Sequence, residues 1–421
     1  MQGNKWLIIA LLAIYAGFGH FNRVGITVAG DEVFIKEMGI ETKAMGFVYT
    51  IFLIVYTIAM LPGGWLIDRI GSARALTYFG IGMGTFVMLT GTLGWLGLTP
   101  TGVLMGLLII RSFAGFCNAP LHPSAAHVVS NVMPEKQRAT ANGTITAGAL
   151  VGIALCYPVF GYLMDKMSWP LAFVVCGAAL VGYGVVWKFV AGPALPHEPE
   201  KKAAEASDKP GFSQLDLLKQ ANVWWLTLSY AAYGYFQYLF FYWMGYYFKQ
   251  ILKVPVQDGR IASSLISLAM GAGMLIGGLS ADLFCKFLGK NLGRRTIVIM
   301  GMGLGGIFGV IGVNCTDFVT IATFLGLGMA FSGMVEGVFW TTATDVGGER
   351  HGGFAGGFMN TGGNIGGLIA PVLTPVMADE IGWPNSIAVA CVINVIGGGV
   401  WLLIRLKETP ASDEEELTNV E

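Results

Sequence analysis

Arg23 and Arg111 each stand inside an apolar run long enough to cross a lipid bilayer. A guanidinium keeps its proton at any ordinary pH, so at bilayer depth it costs about 2.5–3.5 kcal/mol or more unless it faces a cavity and meets an anion. Two such residues point to an internal anion site. Arg111, Gly115, Asn118 and His122 recur at helical spacing and share one face, on which Gly115 permits close approach. Gly19, Arg23 and Thr27 form a second stripe, Glu336 and Trp340 a third, and Asn360 and Asn364 a fourth. Polar groups held to one face of each of four apolar helices are expected where those faces converge on a wet interior. For Thr27 and Asn364 the plainer alternative is a bond across packed helices.

Two of these residues titrate usefully. Glu336 is either a desolvated carboxyl that carries protons or a permanent ion partner for an arginine. His122 changes charge near neutrality, or donates to a backbone carbonyl. The stretch 222–248 is rich in tyrosine, and its Tyr230, Tyr233 and Gln237 share a face suited either to hydroxyls on a sugar-like skeleton or to plain packing. Tyr246 and Tyr247 fit an aromatic belt at the membrane surface.

These residues need an all-helical membrane frame to position them. The chain is 54% hydrophobic and only 12% charged, with 61 glycines and a net charge of -1, a composition for a polytopic helical protein with no affinity for nucleic acid. Twelve apolar spans are predicted near 6–29, 44–66, 76–95, 101–124, 139–164, 170–190, 222–248, 259–284, 294–313, 318–343, 353–378 and 384–406. Lys5 precedes the first, but no small-residue cleavage site follows it, so it reads as a retained helix. Lys and Arg crowd the connections on one side, and Lys36, Lys43, Lys166, Lys249, Lys253 and Arg260 fall in connections on the other; the bias predicts both termini in the cytoplasm. Cys117, Cys156, Cys176, Cys285, Cys315 and Cys391 show neither metal nor pairing spacing and are expected as small packing residues.

The expected organisation is a six-helix bundle over 1–190, a linker with a short amphipathic helix over 191–220, a second six-helix bundle over 221–406 and an acidic cytoplasmic tail over 407–421. The halves repeat. Gly64-Trp-Leu-Ile-Asp68 recurs as Gly278-Leu-Ser-Ala-Asp282, an offset of 214 (282 minus 68), and Glu135-Lys-Gln-Arg138 has a weaker echo in Glu349-Arg350. Paired halves suit rocking about a midplane site. Aligning the halves through Gly115 and Gly333 sets Glu336 opposite Asn118.

The run Gly64-Trp-Leu-Ile-Asp68-Arg69-Ile-Gly71-Ser-Ala-Arg74 resembles the loop between the second and third helices of the major facilitator superfamily. Asp68, Arg69, Arg74 and the repeated Asp282 would then gate one conformation, or else only fix topology. A finer resemblance runs along most of the chain. Phe21-Asn22-Arg23, Tyr56, Pro62-Gly63-Gly64-Trp65, Arg111 with Gly115 and Ala119-Pro120, Trp340, and Gly356-Gly357-Phe358-Met359-Asn360 resemble the anion:cation symporter family. That family includes bacterial sugar-acid transporters and, more distantly, vesicular glutamate and sialic-acid carriers. The resemblance implies a twelve-helix carrier for an organic anion, a hydroxylated monocarboxylate such as a sugar acid, either coupled to protons by a non-standard route or facilitative; a monomer in the inner or plasma membrane is expected. Arg23 or Arg111 would bind the carboxylate, and Tyr56, Asn118, Gln237, Trp340, Thr341 and Asn360 would contact the rest. Asn22 and Asn118 stand where proton-coupled members carry acids, which leaves Glu336 and His122 as the coupling candidates. A phosphorylated or zwitterionic solute is the nearer alternative, and a non-transporting membrane sensor the more distant one. No hydrolytic triad, phosphate-binding loop or zinc motif is present, so neither an enzyme nor a cofactor is expected.

Overall fold

The computed structural model describes residues 5–190 and 214–405, so the linker before residue 214 and the tail after 405 lie outside the described residues. Twelve long helical segments follow one another. In the first half, α1 covers Lys5–Ile35, α2 Thr42–Ile70, α3 Ser72–Trp95, α4 Pro100–Val132, α5 135–167 and α6 Trp169–Val190. A single helical turn, Gln214–Leu217, precedes the second half; the rest of the stretch where a short amphipathic helix is expected lies outside the described residues. Then come α7 over 221–251, α8 over 256–288, α9 over 290–313, α10 over 318–347, α11 over 349–381 and α12 over Trp383–Gly399. Most segments run a few residues beyond the apolar stretches in the sequence, because a helix continues into polar surroundings once nucleated.

Ten of the twelve are long and apolar enough to cross a membrane. The two that fall short are α7, loaded with tyrosine, and α11, loaded with glycine and asparagine. They pack on each other. Each keeps its polar surface for the interior, where a low mean hydropathy carries no penalty from lipid.

Backbone geometry repeats between the halves as the sequence motifs do. The turn into α3 is made by Gly71 at φ 83°, and the turn into α9 by Gly289 at φ 79°. Both conformations are strained for a residue with a β-carbon, which favours glycine there. A helix break falls at 119–120 in α4 and at 334–335 in α10. Within the first half, α5 crosses α1 so closely that a β-carbon on Gly148 or Gly152 would strike the carbonyls of Ala13 and Gly17. In the second, Gly362 and Gly366 of α11 stand against Thr227 and Ala231 of α7 in the same way, each partner 214 residues further on (362 minus 148, 227 minus 13). Likewise Gly115 abuts the Phe52 carbonyl and Gly333 the Met270 carbonyl, which bears out the alignment of Gly115 with Gly333.

The interior is rich in buried aromatic rings. Tyr15 donates to the Leu76 carbonyl at 2.7 Å and packs among Phe79, Tyr183 and Trp187, tying α1, α3 and α6 together. Tyr246 stacks on Trp383, while Tyr247 is fully buried, so the expected surface belt does not include Tyr247. The six cysteines are free, and three of them are buried.

Candidate functional site

Arg23 and Arg111 lie beside each other near the middle of α1 and α4, 7% and 2% exposed. Arg111 Nη2 donates to the Arg23 carbonyl at 3.0 Å, and Arg23 Nη2 donates to the Tyr238 hydroxyl at 2.8 Å. The Phe52 ring serves both: the Arg111 guanidinium carbon is 4.3 Å and the Arg23 carbon 5.6 Å from its centroid. Tyr56 and Tyr238 add faces at 5.6 and 5.3 Å from Arg23. Such contacts offset part of a cation's lost hydration, on the order of 0.5–2 kcal/mol each. They do not neutralise it. Among the described residues no carboxylate lies within ion-pair distance of either arginine.

Several polar atoms around this pair are unsatisfied. Arg111 Nε and both amide atoms of Asn118 are buried with no hydrogen-bond partner. In a close-packed interior such atoms normally find a partner. Asn22 differs from Asn118. Its amide donates to the Phe18 carbonyl at 2.9 Å and lines an apolar groove of about 520 Å³ between α1, α5 and α6.

The other expected site residues divide into groups. Glu336 opens the lower part of α10 beyond the break; its Oε1 accepts from Tyr230 at 2.8 Å and from Trp340 Nε1 at 2.9 Å, while Oε2 is buried without a partner. Glu336 is therefore held by neutral donors and pairs with no arginine. Tyr230 lies eight residues before Tyr238, about 12 Å along α7 at helical rise, and Gly363 and Gly367 of α11 pack against those two rings. Asn360 is half-buried one turn from Asn364, whose amide reaches Met60 Sδ in the other half at 3.9 Å. Gln237 reaches Met270 Sδ at 3.5 Å. Thr341 turns its hydroxyl to the Gly337 carbonyl at 3.0 Å, and Thr27 bonds to the Val24 carbonyl within its own helix.

His122 Nε2 meets His20 Nε2 at 3.5 Å, and His20 Nδ1 lies 3.1 Å from the Ala16 carbonyl. A carbonyl only accepts, so His20 carries its proton on Nδ1 and His122 donates to it. His20 thus reaches the stripe of Arg111, Asn118 and His122. Of the four gating residues, Arg69 and Arg74 are exposed beside the Gly71 turn; the side chains of Asp68 and Asp282 lie outside the described residues, as do those of Pro62 to Trp65 and of Glu349 and Arg350.

A second charged cluster joins the two halves at the end of the helices away from the linker. Lys249 Nζ lies 2.7 Å from Glu32 and 3.3 Å from Asp31. Arg260 grips Glu32 through Nε at 3.0 Å and Nη2 at 2.5 Å, and Asp165 through Nη1 at 2.5 Å. Lys43 pairs with Asp379 at 2.7 Å nearer the surface. Neutral bonds across the halves accompany them, from Tyr157 to the Phe241 carbonyl and from Thr50 to the Leu368 carbonyl. At the linker end the described ion pairs of Asp345, with Lys290 and Arg294, stay within the second half.

The sequence reading placed Lys249 and Arg260 in connecting segments. Instead both are buried, 6% and 1% exposed, inside the helices. Asp31 and Glu32 occupy a π-helical turn at the end of α1, Gly30–Ile35, and Lys249 the matching π turn of α7, Tyr247–Ile251. A π turn widens the helix by a residue and re-aims its side chains, a device common at functional sites. Lys249 follows Asp31 by 218 residues, the offset that also separates Gly333 from Gly115, so the two π turns occupy equivalent places in the repeat.

Twelve long helices with backbone landmarks repeated between the first six and the last six, and two buried arginines with no described acid beside them, fit a membrane carrier. The family model of the Major Facilitator Superfamily matches residues 8–286 and 260–419, and the chain belongs to that superfamily. Among curated relatives, the probable galactarate/D-glucarate transporter GudP of Bacillus subtilis is 26% identical, over 84% of this chain and 81% of that protein. The D-galactonate transporter of Escherichia coli O6:H1 is 26% identical over 95% of both chains, and the probable sulfoacetate transporter SauU of Cupriavidus necator 25% identical over 84% and 82%. The fold matches a bacterial homolog to the human lysosomal transporter Spinster with a TM-score of 0.78 at 15% identity, covering 96% of this chain and 97% of that one.

Proposed function

We propose that the chain carries an organic anion, a sugar acid or a related hydroxylated carboxylate, across a membrane by alternating access. One observation carries this reading: two buried guanidinium groups stand side by side with no acid among the described residues within ion-pair distance. An anion supplies the missing charge. The named substrates of the relatives, galactarate, glucarate, galactonate and sulfoacetate, all carry acidic groups, which supports the same class.

In this reading Arg23 and Arg111 receive the carboxylate, and Asn118 gives its unpartnered amide to a substrate oxygen. Tyr56 and Tyr238 wall the site, and Gln237, Trp340, Thr341 and Asn360 meet the remaining hydroxyls. The linker end faces the cytoplasm of an inner or plasma membrane. Asp68, Arg69, Arg74 and Asp282 gate that end, and Glu336 and His122 are the titratable groups nearest the substrate path. Two uncompensated cations resist being sealed from water, so occlusion follows anion binding and the empty carrier cycles slowly. The carrier has no reaction to catalyse.

Proteoliposomes loaded for counterflow with labelled galactonate or glucarate test this directly. Uptake is expected in the wild type and its loss in Arg111→Gln; undiminished uptake by that variant would overturn the assignment. A pH-sensitive dye in the same vesicles reads coupling. Accumulation against a gradient that survives Glu336→Gln would remove Glu336 from any proton path.

A further inference from the structure

In the ion lock between the halves, two buried carboxylates, Asp31 and Glu32, share the buried Lys249 and Arg260 with a third, Asp165, which is 43% exposed and also has Lys166 beside it. Arg260 divides its guanidinium between Glu32 and Asp165, and Lys249 stands closer to Glu32 than to Asp31. Asp31 is therefore the least fully paired of the three. Its side chain is 2% exposed, and its Oδ1 is buried with no partner. Two neutral groups complete the surroundings: Tyr157 gives its hydroxyl to the Phe241 carbonyl, and Tyr49, packed beside Gly30, has a hydroxyl with no partner.

The pocket is shaped for this carboxyl. A β-carbon on Gly245 of α7 would come within 2.6 Å of Asp31 Oδ2, and Gly161 and Gly259 make the same kind of room for Arg260 and Lys249. A buried carboxylate left without a full counter-charge does not persist; it binds a proton.

We propose that Asp31 is a proton-binding site of the carrier, occupied while the halves are closed at the lock end and emptied when they part there. Opening separates Asp31 and Glu32 from Lys249 and Arg260 and admits water to all four, so the ionised form becomes the stable one. Closure at this end then takes up one proton. Its population, relative to the open form, falls about tenfold for each unit of pH between the titration of Asp31 in the open form and its titration in the closed form, and levels off above the latter. The role of that proton in transport rests on the carrier reading; its presence on Asp31 does not.

The full chain in lipid vesicles without substrate serves for the test. Infrared spectra at neutral pH are expected to show the carbonyl stretch of a protonated carboxylic acid, with a component that disappears in Asp31→Asn. Spin labels on 36 and 253 are expected to separate as pH rises in the wild type and to stay close at every pH in Asp31→Asn, whose neutral amide mimics the protonated acid. An acid band unchanged in Asp31→Asn, or label distances indifferent to pH in the wild type, would overturn the proposal. Should the variant fail to fold, carbon-13 aspartate labelling of the wild type decides alone: absence of any protonated aspartate signal at neutral pH rejects the site. Failure of galactonate or glucarate uptake would remove the assigned cargo and leave these measurements standing.

Discussion

The carrier contains two buried clusters of positive charge that solve the same electrostatic problem in opposite ways. At the lock end Lys249 and Arg260 are met by Asp31, Glu32 and Asp165. At the centre Arg23 and Arg111 are met by aromatic rings, a tyrosine hydroxyl and a backbone carbonyl, none of which bears a charge. The contrast separates structure from cargo. A cation whose anion belongs to the protein closes an interface, and a cation whose anion is missing waits for a solute.

The lock gives the largest expected effect. Arg260→Met leaves Glu32 and Asp165 without their bidentate partner, and breaking a buried pair in this way costs about 3–5 kcal/mol. Distances between labels across the lock should shift from closed to open; an unmoved distribution would show that the neutral bonds alone hold this end. Asn118→Asp tests the opposite arm by giving the centre an acid of its own. Anion binding, measured calorimetrically, should weaken by roughly 10- to 100-fold at neutral pH, as expected for about 1.5–3 kcal/mol of charged bonding redirected inward. It should recover as the pH falls and the new carboxyl is protonated. Equal affinity at both pH values would mean that Asn118 does not share a field with the arginines.

A smaller effect is expected from Tyr238→Phe, which removes the hydroxyl that orients Arg23 at 2.8 Å. A loss of about 0.5–1.5 kcal/mol in anion binding follows, a few-fold in affinity, without a change in the lock distances. Finally, Tyr49→Phe should leave both clusters in place, because its hydroxyl has no bond to lose. Melting temperature is the readout, and a drop of several degrees would reveal a partner for that hydroxyl.

The twelve helices and their duplication were legible because hydropathy and repeated loop motifs are local signals, and the arginines were legible because a charge inside an apolar run contradicts its surroundings. The lock was not. Lys249 and Arg260 lie near the ends of apolar runs, where basic residues are ordinary, and their partners on α1, Asp31 and Glu32, stand more than 200 residues away in the chain. The π turns that aim Asp31, Glu32 and Lys249 leave no mark in a periodicity of 3.6 residues. Tyr247 illustrates the same blindness: aromatic composition suggested the membrane surface, and tertiary packing took the ring inside. Glu336 shows a subtler gap. Its place opposite Asn118 could be read from the repeat, whereas its neutral donors, Tyr230 and Trp340, could be found only in three dimensions.

The four glycines at which α5 meets α1 and α11 meets α7 carry no charge, yet their close backbone contacts leave less room for substitution than the sites of the arginines do. An arginine can be exchanged for another residue and the molecule still assembles, only without its cargo. Where two main chains rest directly on each other, nothing flexible remains to absorb an added methyl group. The most silent positions in the chemistry should therefore be the least forgiving in a mutational scan.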